Sequence, residues 1–293
     1  MLPWVLMVRP LTLADTAEAR SLLRARPLRN VFLDYVVSAG VLGRVPGFLG
    51  FESGGRLTGI LLIGPLGGTA LEVQDPAAHA PLAQAAAAAP LRPRHIVGSE
   101  DVTEPFWAEY ARHGAELFWT RREPVFAMRA ADLEGADDGG PRARVEPALE
   151  SEADQITQNS AQQHREDLRD DRFAADEAGF RERHGKDVRD GRWWVARERG
   201  RIAFQVHVGA ASATAVQLGG VFVPEWARGR GHATRGVRAI CARMLERHDL
   251  VTLYCDEDNA AARRVYERLG FRRVFCNRSY LLNEPLRGAF PVQ

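Results

Sequence analysis

The stretch Arg228-Gly229-Arg230-Gly231-His232-Ala233 decides how this chain is interpreted. It lies between an apolar run, residues 218–223, and a segment with helical spacing of apolar residues, 233–247. This order of strand, small basic loop and helix start is typical of a phosphate-binding site. The N–H groups of the loop and of the first helical turn point at one spot, and the helix N-terminus carries a partial positive charge. Glycine allows close approach of the backbone, and arginine keeps its charge. Taken alone, the motif also fits an ordinary surface turn.

The composition is that of an ordinary globular chain with room for two domains. The chain has 293 residues, of which 45% are hydrophobic and 26% charged. A formal net charge of +1 favours neither a nucleic-acid nor a membrane partner. Three cysteines without C-x-x-C spacing predict no disulfide framework and no metal site, and they fit a reducing, cytoplasmic setting. No run approaches the roughly 20 apolar residues of a membrane span.

The chain reads as two similar halves joined by a linker. The stretch 131–141 is polar, rich in glycine and ends in proline, so we expect domains at 1–130 and 142–293. Each half opens with a short strand and a helical segment and continues with a hairpin pattern, turning at 53–55 in the first half and at 199–200 in the second. This weak internal repetition predicts a duplicated α/β domain.

The second half continues in a clear order after its hairpin. The predicted elements are a strand at 214–223, a helix at 233–247, a strand at 250–255, a helix at 259–269, and closing strands at 271–275 and 278–282. Asn259 suits the N-cap of the second helix and Gly270 its C′ position. At the corresponding point of the first half, Asp75 and Pro76 precede an alanine-rich segment, and no glycine loop is present.

A second motif makes the interpretation of the loop more specific. Asn259 is followed seven residues later by Tyr266 and then by Gly270 and Phe271. Together with the loop pattern Arg/Gln-x-x-Gly-x-Gly/Ala, these residues resemble the motifs of the GCN5-related N-acetyltransferase (GNAT) superfamily. The resemblance covers 144–282. The whole chain resembles bacterial proteins in which a degenerate N-terminal GNAT-like domain precedes a second one. It implies an α/β (α+β) fold of two tandem GNAT-like domains, each a mixed, mostly antiparallel sheet flanked by helices.

The resemblance also implies an activity. A GNAT enzyme moves an acetyl group from acetyl-CoA to a primary amine, here of a small molecule or peptide, by direct attack. Tyr266 would protonate the leaving thiolate, and a main-chain N–H near Val223 would polarise the thioester carbonyl. No nucleic-acid or membrane partner is implied, and the chain would be a monomer or homodimer. The residues implied to bind acetyl-CoA are Val221, Phe222, Val223, Arg228, Gly229, Arg230, Gly231, His232, Ala233, Thr234, Asn259 and Ala262.

One departure from the family pattern concerns the general base. Many GNAT enzymes carry a glutamate on the strand before the loop, whereas this strand has Gln217, which cannot accept a proton at neutral pH. Either the base lies elsewhere, or the amine has a low pKa, or the domain only binds its ligand. The acids at 256–258 are candidates for the base, although such a run is often a solvated loop. His207, on a predicted strand, is interpreted as structural.

The acceptor side is assigned by position alone. His164, Glu166 and Asp167 fall where the family's first helix and loop shape the acceptor site, so the resemblance implies that they contact the acceptor. Two other functions stay open: an idle acyl-CoA-binding or regulatory module, and acetylation of a thiol precursor as in tandem mycothiol synthases. The first is favoured by the missing acid, and the second rests only on the two-domain plan.

Overall fold

The computed structural model describes residues 7–133, 143–168 and 172–283, which form two compact units. Unit 1 contains Met1–Val125 and Phe275–Gln293, and unit 2 contains Phe126–Val274. The predicted linker at 131–141 lies for the most part outside the described residues. Among the helices described, none is long and apolar enough to cross a membrane.

Unit 1 begins with a strand, a helix and a hairpin, as the sequence predicts, and has a second helix, Val31–Ser38, before the hairpin. Gly54 and Gly55 both have positive φ, 61° and 74°, which is the backbone that a two-residue hairpin turn requires. The elements are β1 (Met7–Pro10), α1 (Thr16–Arg24), α2 (Val31–Ser38), β2 (Phe48–Ser53), β3 (Arg56–Ile63), β4 (Gly68–Val73), α3 (His79–Ala88), β5 (His95–Ser99), α4 (Glu100–Ala111) and β6 (Leu117–Met128), whose last three residues belong to unit 2.

The sheet of unit 1 is antiparallel from β1 to β4 and then parallel from β4 to β5. Helices cover both faces. One core packs α1 and α2 against β2 and β3, and the predicted apolar face of α1 is confirmed, since Ala19, Leu22 and Leu23 are buried. The other core packs α3 and α4 against the sheet around Ile96 and Phe106.

Unit 2 repeats this order of elements. Its hairpin turns at Arg199 and Gly200, both with positive φ, 50° and 73°. The elements are β7 (Val145–Pro147), α5 (Ala153–Leu168), α6 (Arg172–Ala175), α7 (Glu177–Arg189), β8 (Trp193–Glu198), β9 (Arg201–Ala211), β10 (Ala215–Phe222), α8 (His232–Leu245), β11 (Leu250–Tyr254), α9 (Ala260–Arg268) and β12 (Arg272–Leu282), which ends in unit 1.

The sheet of unit 2 is antiparallel from β7 to β10, and β10 pairs with β11 in parallel. On one face, α8 and α9 pack on Phe204 and Val206 of β9. On the other face, Ile156 of α5 and Val188 of α7 pack on Trp193 and neighbouring strand residues. The predicted class, a mixed and mostly antiparallel sheet flanked by helices, is confirmed in each unit.

The end of the chain differs from the sequence prediction. The two predicted closing strands are one continuous strand, β12. Its residues from Phe275 onward belong to unit 1, where they pair antiparallel with β5 from Asn277–Ser99 to Leu281–His95. The compact units therefore differ from the predicted domains 1–130 and 142–293 at both ends of the second domain. The physical reason is packing, because Tyr280 and Leu282 are buried in the α3–α4 core of unit 1.

Candidate functional site

The two parallel strands of unit 2 are paired over only part of their length. β10 and β11 are in register from Ala215–Leu250 to Gln217–Thr252. β10 then continues to Phe222 with no further registered pair to β11 in the described structure. The carboxyl ends of the two strands therefore leave a gap, and the open carboxyl edge of neighbouring parallel strands is where α/β sheets bind ligands.

A glycine pair bends β10 at the same level. Gly219 is the partner of His207 on β9, and the register between the two strands shifts immediately afterwards. Gly220 has φ +56°, and a Cβ there would lie 2.9 Å from the ring of Trp193. This position therefore requires glycine, since any side chain would be strained and would also meet the indole.

The basic loop begins shortly after β10. The chain runs through Pro224 and a short 3-10 turn, Glu225–Ala227, and enters α8 at His232. Gly229 and Gly231 are both left-handed, with φ of +73° and +76°. Gly231 is the N-cap of α8, and no side chain of the described residues accepts a hydrogen bond from the first turn there. The first-turn N–H groups, including those of Ala233 and Thr234, therefore keep their capacity to donate to an anion.

Arg228 lies at the start of the loop with its guanidinium held in place. Its Nη2 is 2.8 Å from Glu166 Oε2, its Nε donates to the carbonyl of Val223 at 3.1 Å, and its Cζ lies 5.5 Å from the centroid of the Phe222 ring. Glu166 was expected to contact the acceptor. The structure pairs it with Arg228, which the resemblance assigned to the cofactor, and its contact with the acceptor stays a prediction.

A second carboxylate faces the other basic residues of the loop. Glu198, the last residue of β8, forms an ion pair with Arg230, and its Oε2 lies 3.0 Å from His232 Nε2. The hydrogen bond from Arg230, followed by the charges of Arg230 and His232, holds the pKa of Glu198 below its usual range. The basic residues of the loop are thus paired with carboxylates from other elements, Glu166 of α5 and Glu198 of β8. The sequence analysis did not identify Glu198.

Tyr266 is buried in the core between α9 and the sheet. It is 4% exposed, and its ring centroid lies 5.7 Å from that of Phe126 and 5.8 Å from that of Phe271. Burial raises the pKa of the Tyr266 phenol far above its usual range, and negative charge on Cys255 and Asp167 raises it further. The phenol is therefore neutral and holds its proton at physiological pH. Both a core role and a role as proton donor fit this position, and the donor role stays a prediction.

Local capping fixes α9 as the sequence predicts. The Asn259 side chain accepts the N–H of Ala262 at 3.0 Å. At the other end, Gly270 has φ +90° and the Phe271 N–H donates to the carbonyl of Tyr266 at 3.1 Å, the hydrogen bond of a Schellman C-cap. Because the N–H of Ala262 is used by the cap, Ala262 can offer a ligand only its methyl group.

The other predicted contact residues have local partners of their own. Asp256 accepts the N–H of Asp258 at 2.8 Å, so the acidic run forms the turn before α9. The ring of His164 packs edge-on against Phe180, 5.4 Å away. The carbonyl of Val221, on the strand expected to hold the cofactor, already accepts a hydrogen bond from Gln163 Nε2 at 3.2 Å.

Comparison with known proteins supports the family resemblance. The model of the Acetyltransferase (GNAT) family matches residues 154–271. A comparison with curated proteins returns no match. Among solved structures, the chain is similar to a Drosophila protein, with 13% identity, a TM-score of 0.66, and 94% of this chain and 99% of that one covered.

Two further solved structures carry family names. A GCN5-related N-acetyltransferase from Sphaerobacter thermophilus has 16% identity and a TM-score of 0.58, with 94% of each chain covered. A tandem GNAT protein from the clavulanic acid biosynthesis pathway has 16% identity and a TM-score of 0.58, with 97% of this chain and 100% of that one covered. At such identities the likeness shows the fold, and the predicted tandem GNAT-like fold is confirmed. Residues 154–271 of this chain form a domain of the acetyltransferase (GNAT) family.

Proposed function

We propose that unit 2 is an N-acetyltransferase that moves an acetyl group from acetyl-CoA to a primary amine of a small molecule or peptide by direct attack. One observation carries the proposal: the pairing of β10 with β11 stops at Gln217–Thr252, while β10 continues toward the glycine loop that starts α8. A gap in the sheet, an anion-binding helix start beside it and a neutral phenol nearby are the parts that acyl transfer from a CoA thioester needs.

The loop fits a pyrophosphate. A Cβ at Gly229 would meet no atom within 4 Å, so the space beside the backbone is open. Gly231 leaves the start of α8 without a side-chain cap, and Arg228 and Arg230 supply positive charge. We assign the pyrophosphate of CoA to residues 228–234, its pantetheine arm to 221–223, and further contacts to Asn259 and Ala262.

Several residues of unit 2 would each have a separate role in the reaction. When bound, acetyl-CoA supplies an activated acetyl group on a sulfur atom. The N–H near Val223 donates to the carbonyl oxygen, where negative charge grows as the amine attacks. Tyr266 donates a proton to the sulfur as the C–S bond breaks. The bend at Gly219–Gly220 keeps side chains off β10 where the amine would approach.

A thiol-release assay with a panel of amines tests the activity. We expect free CoA to appear with at least one primary amine, and Tyr266→Phe to lower kcat by roughly 100-fold or more, the size of a general-acid contribution. Tyr35→Phe, a substitution of the same kind on α2 of unit 1, is the control and should leave kcat unchanged. Full turnover in Tyr266→Phe near neutral pH would remove the proton-donor assignment.

Calorimetric titration with CoA tests the loop. Gly231→Glu brings a negative charge and a strained backbone to the start of α8, so CoA affinity should fall at least about tenfold. Gly40→Glu is the control, because Gly40 also has positive φ, +71°, but lies in unit 1; a Cβ at Gly40 would meet no atom within 4 Å, whereas one at Gly231 would meet the end of the flexible Arg235 side chain. If Gly231→Glu binds CoA as tightly as the control does, the loop is not the pyrophosphate site.

An idle acyl-CoA-binding module is the second candidate. It is favoured by Gln217, which stands where many family members carry a basic carboxylate, and by the carboxylates that already neutralise the loop arginines. CoA binding without thiol release for any amine would select this alternative.

A further inference from the structure

A partly buried histidine–carboxylate pair lies beside the bend of β10. His207 Nε2 is 3.3 Å from Asp187 Oδ2, and the other oxygen of Asp187 lies 3.6 Å from Arg192 Nη1. The His207 side chain is 20% exposed and that of Asp187 28%. Each carboxylate oxygen of Asp187 therefore faces a nitrogen of a basic side chain at ion-pair distance.

The surroundings of His207 are aromatic and tightly packed. Its ring lies 4.8 Å from Trp193, which in turn lies 5.7 Å from His184, and His184 stacks on Phe180 at 4.2 Å. Burial lowers the pKa of His184, so this ring is neutral near pH 7. The groups that face His207 from the adjoining elements are thus Asp187 and His184 on α7, Arg192 in the turn that follows, and Trp193 on β8.

Burial alone would raise the pKa of Asp187. The contact with His207 and the positive charge of Arg192 outweigh burial, and the pKa of Asp187 lies below its usual value. Asp187 is therefore a carboxylate at neutral pH. A carboxylate at Nε2 favours the tautomer with the proton on Nε2, which leaves the lone pair on Nδ1 free to accept a proton.

Strand register brings His207 to the candidate site. Directly opposed residues in an antiparallel pair project their side chains from the same face, and the partner of His207 is Gly219. A Cβ at Gly219 would meet no atom within 4 Å, so the space directly beside Gly219 is open, whereas the ring of Trp193 fills the space beside Gly220. Gln217 lies two residues before Gly219 on β10, so the alternation of side chains along the strand places both residues on the same face of the sheet. The register with β9 shifts between Gln217 and Leu218.

We propose that His207, oriented by Asp187, is the general base of the acyl transfer and takes the role that Gln217 cannot perform. The inference rests on the proposed function. His207 Nδ1 accepts the proton of the amine, directly or through one water, as the new N–C bond forms. Tyr266 gives its proton to the sulfur as the C–S bond breaks, and exchange with solvent restores both side chains. His207 is then a catalytic residue and Asp187 a positioning residue.

Kinetics with matched variants form the first half of the test. We expect His207→Gln to lower kcat by roughly 100-fold or more, with CoA affinity in calorimetry within about threefold of wild type. Asp187→Asn should reduce kcat, because the carboxylate no longer orients the ring. Asp190→Asn is the control; this carboxylate follows α7 and pairs with Lys186 at the surface, so kcat should not change.

The ¹⁵N spectrum of the imidazole rings in the free protein gives a readout independent of turnover. We expect the neutral His207 ring to carry its proton on Nε2 in wild type and to become a mixture of tautomers in Asp187→Asn. A wild-type ring protonated on Nδ1 would overturn the inference, as would an active enzyme whose His207→Gln variant keeps its kcat. If wild type binds CoA but acetylates no amine, the proposed function fails and the inference falls with it.

Discussion

Tyr280→Ala tests whether the last strand stabilises unit 1, to which the tertiary structure assigns it. Tyr280 is 5% exposed, pairs with Ile96 of β5, and stacks on Trp107 with ring centroids 5.1 Å apart. Removing a buried aromatic side chain costs about 3–5 kcal/mol, of which the stacked pair accounts for about 1. A domain is stable by only about 5–15 kcal/mol, so most of the stability of unit 1 would be lost.

Hydrogen exchange followed by mass spectrometry measures this loss locally. A cost of about 3–5 kcal/mol corresponds to exchange roughly 100- to 4,000-fold faster for amides that open only when unit 1 unfolds. We expect this acceleration in peptides from β3, β4 and β5. Val274→Ala changes an exposed residue of the same strand, 42% exposed, that belongs to unit 2, and it should alter exchange very little.

The reasoning fails if Tyr280→Ala leaves β4 and β5 as protected as in wild type. It also fails if peptides from β9 and β10 accelerate as much as those of unit 1, because β12 would then stabilise unit 2 as the sequence predicted.

Three further predictions concern unit 2. Gly236→Ala would bring a Cβ to 2.5 Å from an aromatic ring of β9, and it should lower the free energy of unfolding in urea by about 1–3 kcal/mol. Gly185→Ala, on a more open helix surface, is the control and should leave this free energy unchanged or raise it by up to about 1 kcal/mol. Equal effects of the two substitutions would contradict the packing of Gly236 against the ring. Asn259→Ala removes the N-cap of α9 and should cost about 1 kcal/mol in the same assay, and no loss would mean that the cap is dispensable. Glu198→Gln releases Arg230 and should tighten CoA binding in calorimetry, most at low salt; unchanged affinity at every salt concentration would show that the acid does not compete with the ligand.

Much of the candidate site could be predicted because its signals are local in sequence. The turn at Arg199–Gly200, the N-cap at Asn259 and the C-cap at Gly270 each depend on residues within one or two turns of chain, and all three appear as expected. The glycine loop before α8 belongs to the same class, since its backbone needs positive φ at Gly229 and Gly231.

The charge pairing of the site could not be predicted in this way. Glu166 and Glu198 are far from the loop in sequence, and each belongs to a polar surface pattern that many partners would satisfy. The same holds for Asp187 and His207, which α7 and β9 bring together beside Trp193. A solvated charge and a paired charge look alike in a sequence.

The sequence by itself thus determined the internal repeat, the turns, the loop and the order of elements from β10 to α9, because these follow from backbone preferences of single residues and from short-range hydrogen bonds. Only the tertiary structure decided where β12 packs, which acids meet the loop arginines, and which carboxylate orients His207. Strand pairing and burial join residues distant along the chain, and the free energy of such a contact depends on which competing surfaces are already covered.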